Sequence, residues 1–258
     1  MSPPKPTHAP PADVTLYWLP LGAGGHCIRL NGRIFEALQA RHQHRPVRDL
    51  YHSALQVRLG AQRFVIEMTP VLGGPATDHG VVREGPVGSR LLGRLPLFRY
   101  EVRMWRDGTI LDLAEAVTGP HVVSADATRA REVLRLVPLV PALVWGCDES
   151  RNGEMWNSNS LTAWLLAGSG HRMEAVGPPA HGRAPGWHAG LAVAARRNAA
   201  ARSPAGVPEP SRTTPRRRTR RWRLSRGHHE PPPSACRRLA ASGVRRVHRR
   251  ARPRRGPR

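Results

Sequence analysis

The sequence predicts an α+β domain: an antiparallel sheet packed with helices, followed by a disordered C-terminal tail. Three observations carry this. Leu50–Arg58 and Arg63–Thr69 are rich in apolar, β-branched and aromatic residues and flank Leu59-Gly60-Ala61-Gln62, the pattern of a β-hairpin. Phe98–Trp105 alternates apolar and charged residues strictly, as a half-buried strand does. Further along, Asp126 and Asn157 each stand as a helix cap before an apolar run.

The elements follow in order. Residues 1–13 are polar and proline-rich, lack the apolar core of a secretory leader, and are expected to be disordered. Val14-Thr15-Leu16-Tyr17-Trp18-Leu19-Pro20 reads as a strand. Leu21-Gly22-Ala23-Gly24-Gly25 lacks the Gly-Lys-Ser/Thr of a phosphate loop and is read as a flexible turn. Asn31 then caps a helix whose Ile34, Phe35 and Leu38 share one face, although Asn31-Gly32 also fits a hairpin turn. In the Leu50–Thr69 hairpin, a turn centred between Gly60 and Ala61 puts Glu67 opposite Ala54, on the face of His52 and Gln56. A one-residue slip would reverse that face. A glycine-rich loop (Gly73, Gly74, Gly80, Gly85, Gly88) precedes the Phe98–Trp105 strand, whose arginines are expected to be solvated. Asp107-Gly108 is a turn, and Thr109–Val117 a further short element. A helix runs from Asp126 through Ala130, Val133, Leu134 and Val137 to Pro138. A second, amphipathic one covers Ser158–Ala167. Pro178-Pro179 and Ala184-Pro185-Gly186-Trp187 form a wrapping loop, and the domain is assigned to residues 14–192.

Composition changes sharply near Arg197. Of the 41 Lys+Arg, 19 fall in residues 198–258, beside only Glu209 and Glu230 as acids. Residues 193–258 are assigned to an Arg/Pro-rich disordered tail, because like charges and few large apolar residues cannot offset the entropy of ordering. Residues 198–258 would neutralise phosphates on nucleic acid or an anionic membrane surface. The competing reading is an out-of-frame or read-through extension of a GC-rich gene, since the basic residues there are all arginine among Pro, Ala, Gly and His.

At 258 residues and 40% hydrophobic, the chain can bury one substantial core. Cys27, Cys147 and Cys236 are widely spaced, without a Cys-x-x-Cys, and suggest neither a disulfide framework nor a zinc module. No stretch reaches the roughly 18 apolar residues of a membrane span. The expected location is the cytoplasm, and no cofactor is expected.

Two distant segments carry candidate chemistry. Tyr51-His52-Ser53-Ala54-Leu55-Gln56-Val57 is a strand opening on a histidine. Glu154-Met155-Trp156-Asn157-Ser158-Asn159-Ser160-Leu161 is a helix start with a hydroxyl in its first turn, where unpaired N–H groups and the positive dipole end favour an oxyanion. With His52 as base, Ser158 as nucleophile and Glu67 or Gln56 as orienter, a hydrolytic set is complete on paper. Plain capping explains the same Asn-Ser-Asn-Ser residues.

This pairing resembles the permuted papain-like group, which includes PPPDE-type isopeptidases and lecithin-retinol-acyltransferase-like enzymes. The resemblance implies a permuted papain-like arrangement and a thiol-dependent hydrolase or acyltransferase. His52 matches the base, Asn157 and Asn159 match the residues flanking the nucleophile, and Ser158 stands where the cysteine would be. A thiol is readily held as thiolate at a helix N-terminus, whereas a serine hydroxyl needs its proton removed during attack. The leading expectation is therefore a non-catalytic or degenerate domain that binds a peptide or acyl group through Gln56, Trp156, Asn157 and Asn159. The alternatives are a Ser158/His52 hydrolase of amide or ester bonds and a nucleic-acid-binding protein acting through the tail.

Overall fold

In the computed structural model the described residues are 11–21, 36–71, 80–110 and 113–202. The strands are β1 (Ala12–Pro20), β2 (Asp49–Leu59), β3 (Gln62–Pro70), β4 (Val81–Pro86), β5 (Arg99–Arg106), β6 (Val117–Ser124) and the short β7 (Gly182–Arg183). Residues 36–42 are helical (α1). They are joined by α2 (Ala127–Leu136), α3 (Ser158–Gly168) and α4 (Trp187–Arg202). Six strands pair antiparallel in the order β4-β5-β3-β2-β1-β6, and β7 runs parallel to the start of β2.

The β2–β3 hairpin has the predicted register, with Leu59 opposite Gln62 and Leu55 opposite Ile66. Its two-residue loop opens on Gly60 at φ 63°, the positive value that primed hairpin turns require. Strand alternation then divides the sheet into two faces. Val14, Leu16, Trp18, Tyr51, Leu55, Val57, Ile66, Met68, Tyr100 and Val102 pack into the main core with Ala130, Val133 and Leu136 of α2 and Leu161, Trp164 and Leu165 of α3. Tyr17, Leu19, Ala54 and Val65 lie on the opposite face, in a smaller cluster with Ile110.

Helix α2 starts where Asp126 accepts a hydrogen bond from the Thr128 N–H, and three of its residues form the buried stripe. Helix α3 was expected to be amphipathic, but every residue from Asn159 to Leu166 is buried. It carries no charged residue and sits between the sheet and α4, so from Asn159 to Leu166 no side of it faces water. The α3–α4 approach is close at Gly190, where a Cβ would collide with the Ser160 carbonyl.

Several expected boundaries move. Residues 81–86, expected in the glycine-rich loop, form β4, because the Tyr100 ring lies where a side chain at Gly85 would be. Strand β6 was unforeseen. It pairs with β1 through register shifts, buries none of its residues fully, and contains Thr118 and Gly119 at positive φ, so no regular alternation marks it in the sequence. The body does not end at residue 192: α4 continues to Arg202, so residues 193–202 are helical. Alanine and arginine are strong helix formers, Ala194 is fully buried, and Arg196 donates to the Ser150 carbonyl. The remainder of the tail, residues 203–258, lies outside the described residues, as do the N-terminal ten and the Leu21–Gly25 turn beyond Leu21. So does the Asn31 cap, although residues 36–42 are helical as expected. Cys147 is disulfide-bonded, although the cysteine spacing suggested no disulfide framework. Cys27 and Cys236 both lie outside the described residues.

Glu36 ties α1 to the sheet. Only 1% exposed, it accepts hydrogen bonds from Arg45, the Arg48 N–H and Arg183 of β7. Burial alone would raise its carboxyl. The Arg45 and Arg48 hydrogen bonds and the Arg183 and Arg45 charges outweigh burial and hold it below its ordinary value. Among the described residues, no helix is long and apolar enough to cross a membrane.

Candidate functional site

The α3 start is built from its sequence outward. Asn157 has an extended backbone and caps the helix, its Oδ1 accepting from the N–H groups of Asn159 (3.0 Å) and Ser160 (3.3 Å). Ser160 closes the box by accepting from the Asn157 N–H at 3.1 Å, and its hydroxyl donates to the Gly186 carbonyl at 2.7 Å. Upstream, Asp148 gathers the N–H groups of Asn152 and Gly153, and Glu154 accepts the His188 N–H. These contacts fix the approach to Trp156, which is buried and exchanges backbone hydrogen bonds with Gly146 and Cys147.

Asn159 joins this helix start to β2. Its Nδ2 donates to the carbonyls of Tyr51 (2.9 Å) and Pro185 (2.9 Å), and its Oδ1 accepts from the Ser53 hydroxyl (2.9 Å). The β2–β3 ladder runs from Leu59 only to Leu55, while β1 stays paired with β2 as far as Tyr51. On the edge of β2 that β3 leaves, Asn159 takes the Tyr51 carbonyl and β7 takes Asp49 and Leu50. The wrapping loop contributes here as well, through Pro185 and Gly186.

The sequence-predicted residues fall into two groups. Trp156, Asn157, Ser158 and Asn159 meet β2 from the helical layer. His52, Gln56 and Glu67 lie on the opposite face of the sheet, because alternation sends Tyr51, Ser53, Leu55 and Val57 toward α3. The side chain that β2 offers to the helix start is Ser53, and its partner is Asn159. Ser158 is half-buried at the first position of α3, and its hydroxyl has no hydrogen-bond partner among the described residues. His52 is half-buried on its own face.

That second face carries polar groups beside the buried cluster of Tyr17, Leu19, Ala54, Val65 and Ile110. Glu67 stands opposite Arg103 in the β3–β5 ladder, and its carboxyl accepts no hydrogen bond among the described residues. Burial pushes it up to about 7, with the Arg103 charge acting against the rise. Arg103 is committed elsewhere: its Nε donates to Glu101 at 2.8 Å, and its guanidinium lies 5.7 Å from the Trp105 ring centre. The β5 arginines were expected to be solvated, but Arg103 is half-buried by this pairing. Asp13 receives hydrogen bonds from Thr15 and Arg58 toward the far end of the face. The face offers donors, acceptors and a carboxyl that is half-protonated near neutrality.

Ser53, Arg103 and Pro185 are the contributors that sequence reasoning missed. A signal for Ser53 was present. The predicted register already grouped His52 with Gln56 and Glu67, and the more apolar parity of Tyr51, Leu55 and Val57 marks the side a buried helix must cover. Among the described residues no cluster of His, Cys, Asp and Glu is arranged to hold a metal ion. No protein-family model, no curated protein and no solved structure matches this chain.

Proposed function

We propose that this protein is a non-catalytic binding domain built on a permuted papain-like arrangement, and that its ligand is a peptide held on the sheet face of His52, Gln56 and Glu67. The observation carrying the proposal is the hydrogen bonding of Asn159. Both ends of its amide are occupied by internal partners, and Asn157 and Ser160 beside it are equally engaged. The helix start thus works as a structural junction. A nucleophile at Ser158 would need a base on the α3 side of β2, and that side carries Ser53. A peptide suits the opposite face better than an acyl chain, because Gln56, Glu67, Glu101 and Arg103 supply hydrogen-bonding groups there, while the large apolar side chains of that face, Tyr17, Leu19, Val65 and Ile110, are already buried.

Selection from a random-peptide library tests the assignment. Peptides enriched on the full chain lose binding to Gln56→Ala and Glu67→Ala and keep it to Ser158→Ala. Peptides that bind all three variants equally, or no enrichment at all, would overturn the proposal.

A further inference from the structure

Residues 87–98 join β4 to β5 and carry Leu91, Leu92, Leu95, Leu97 and Phe98 with two arginines and no acid. They form two successive 3-10 turns, Leu92–Arg94 and Pro96–Phe98, and neither turn buries a residue. Leu91 is 70% exposed, Leu95 54% and Leu97 67%. The loop nevertheless has a defined shape. The N–H of Gly93 donates to Ser89, that of Leu95 to Leu92 and that of Phe98 to Leu95. Arg94 stands between the leucines, exposed and without an ion pair among the described residues. Arg90 within the loop and Arg99 just after it make surface pairs with Glu149 and Glu84, contacts that are weak in water.

We infer that this loop docks on an anionic lipid surface, with Leu91, Leu95 and Leu97 entering the interfacial layer and the arginines meeting lipid phosphates. Charge selects the occupant. Leucine tips give affinity for the headgroup–acyl boundary, and guanidinium groups at their base suit a plane of phosphates. No acid lies between Val87 and Phe98 in the sequence, and the neighbouring carboxylates Glu149 and Glu84 are neutralised by Arg90 and Arg99, which leaves Arg94 as net positive charge. The inference is independent of the peptide-binding proposal, which concerns another part of the sheet.

The full chain is the right material, but its arginine-rich residues 203–258 will attach to anionic vesicles by charge alone. The readout must therefore see insertion. Wild type and a Leu91→Ser/Leu95→Ser/Leu97→Ser variant, equal in charge, are injected beneath monolayers of anionic phospholipid and mixed with anionic vesicles at about 0.5 M salt, where screening is strong. Wild type raises the surface pressure and stays vesicle-bound. The variant, with an unchanged unfolding curve, loses penetration and about tenfold or more of the salt-resistant binding. Equal penetration by both proteins, or none by wild type, overturns the inference. A concentration-dependent dimer that disappears in the variant while lipid binding persists also overturns it, assigning the loop to a second copy of the chain.

Discussion

Asn159 is 2% exposed, and replacing it with alanine would strand the Ser53 hydroxyl and the carbonyls of Tyr51 and Pro185 at the junction of β2, α3 and the wrapping loop. Asn159→Ala is expected to cost about 3 kcal/mol in urea unfolding, and Ser53→Ala, which removes a single bond, about 1 kcal/mol. Ser158→Ala, one position away, should leave the unfolding midpoint almost unchanged. Glu67 gives a different signature. Its folded carboxyl titrates near 7, above its ordinary value of 4.5, so it keeps its proton in the folded state where the unfolded chain loses one. Stability should fall as pH rises from about 4.5 to about 7, and then level off. Glu67→Gln should flatten that window and be the more stable protein above neutrality, by at most about 3 kcal/mol. Glu36 acts in the opposite sense: its carboxyl is held below the ordinary range, so its contribution is present above pH 4.5 and disappears as pH falls through the lower folded value. Acid unfolding of Glu36→Gln should therefore be less steep.

At the level of elements, the contact between α3 and α4 depends on Gly190, and Gly190→Ala should destabilise by about 2 kcal/mol because the new methyl meets the Ser160 carbonyl. The β2–β3 hairpin, β5, the Asp126 cap and the Asn157 cap were all legible in the sequence, because each rests on local signals: alternation, turn residues or a side chain that caps. Strand β4 was not, since its place depends on Gly85 receiving a ring from another strand, and β6 was not, since bulges erase its period. The candidate site was half legible. The two segments do meet, but the expected pairing of His52 with Ser158 does not form, because a single sequence motif, Tyr51-His52-Ser53, points to both faces of the sheet. The histidine drew attention chemically, while the serine beside it makes the contact. That distinction is set by which face the helices cover, a tertiary fact.

For the whole molecule, the compositional break near Arg197 falls inside a helix, since α4 runs on to Arg202. A chain ending at Ala192 loses Ala194 from the core and the Arg196 bond to Ser150, and should unfold at a lower denaturant concentration than one ending at Arg202. The central claim concerns the helix start, a structural junction in place of a nucleophile. It is tested most directly by treating the native protein with a fluorophosphonate probe and reading adducts by intact mass. The account predicts no adduct at Ser158. An adduct that forms on the wild type and is lost in both Ser158→Ala and His52→Ala would contradict it.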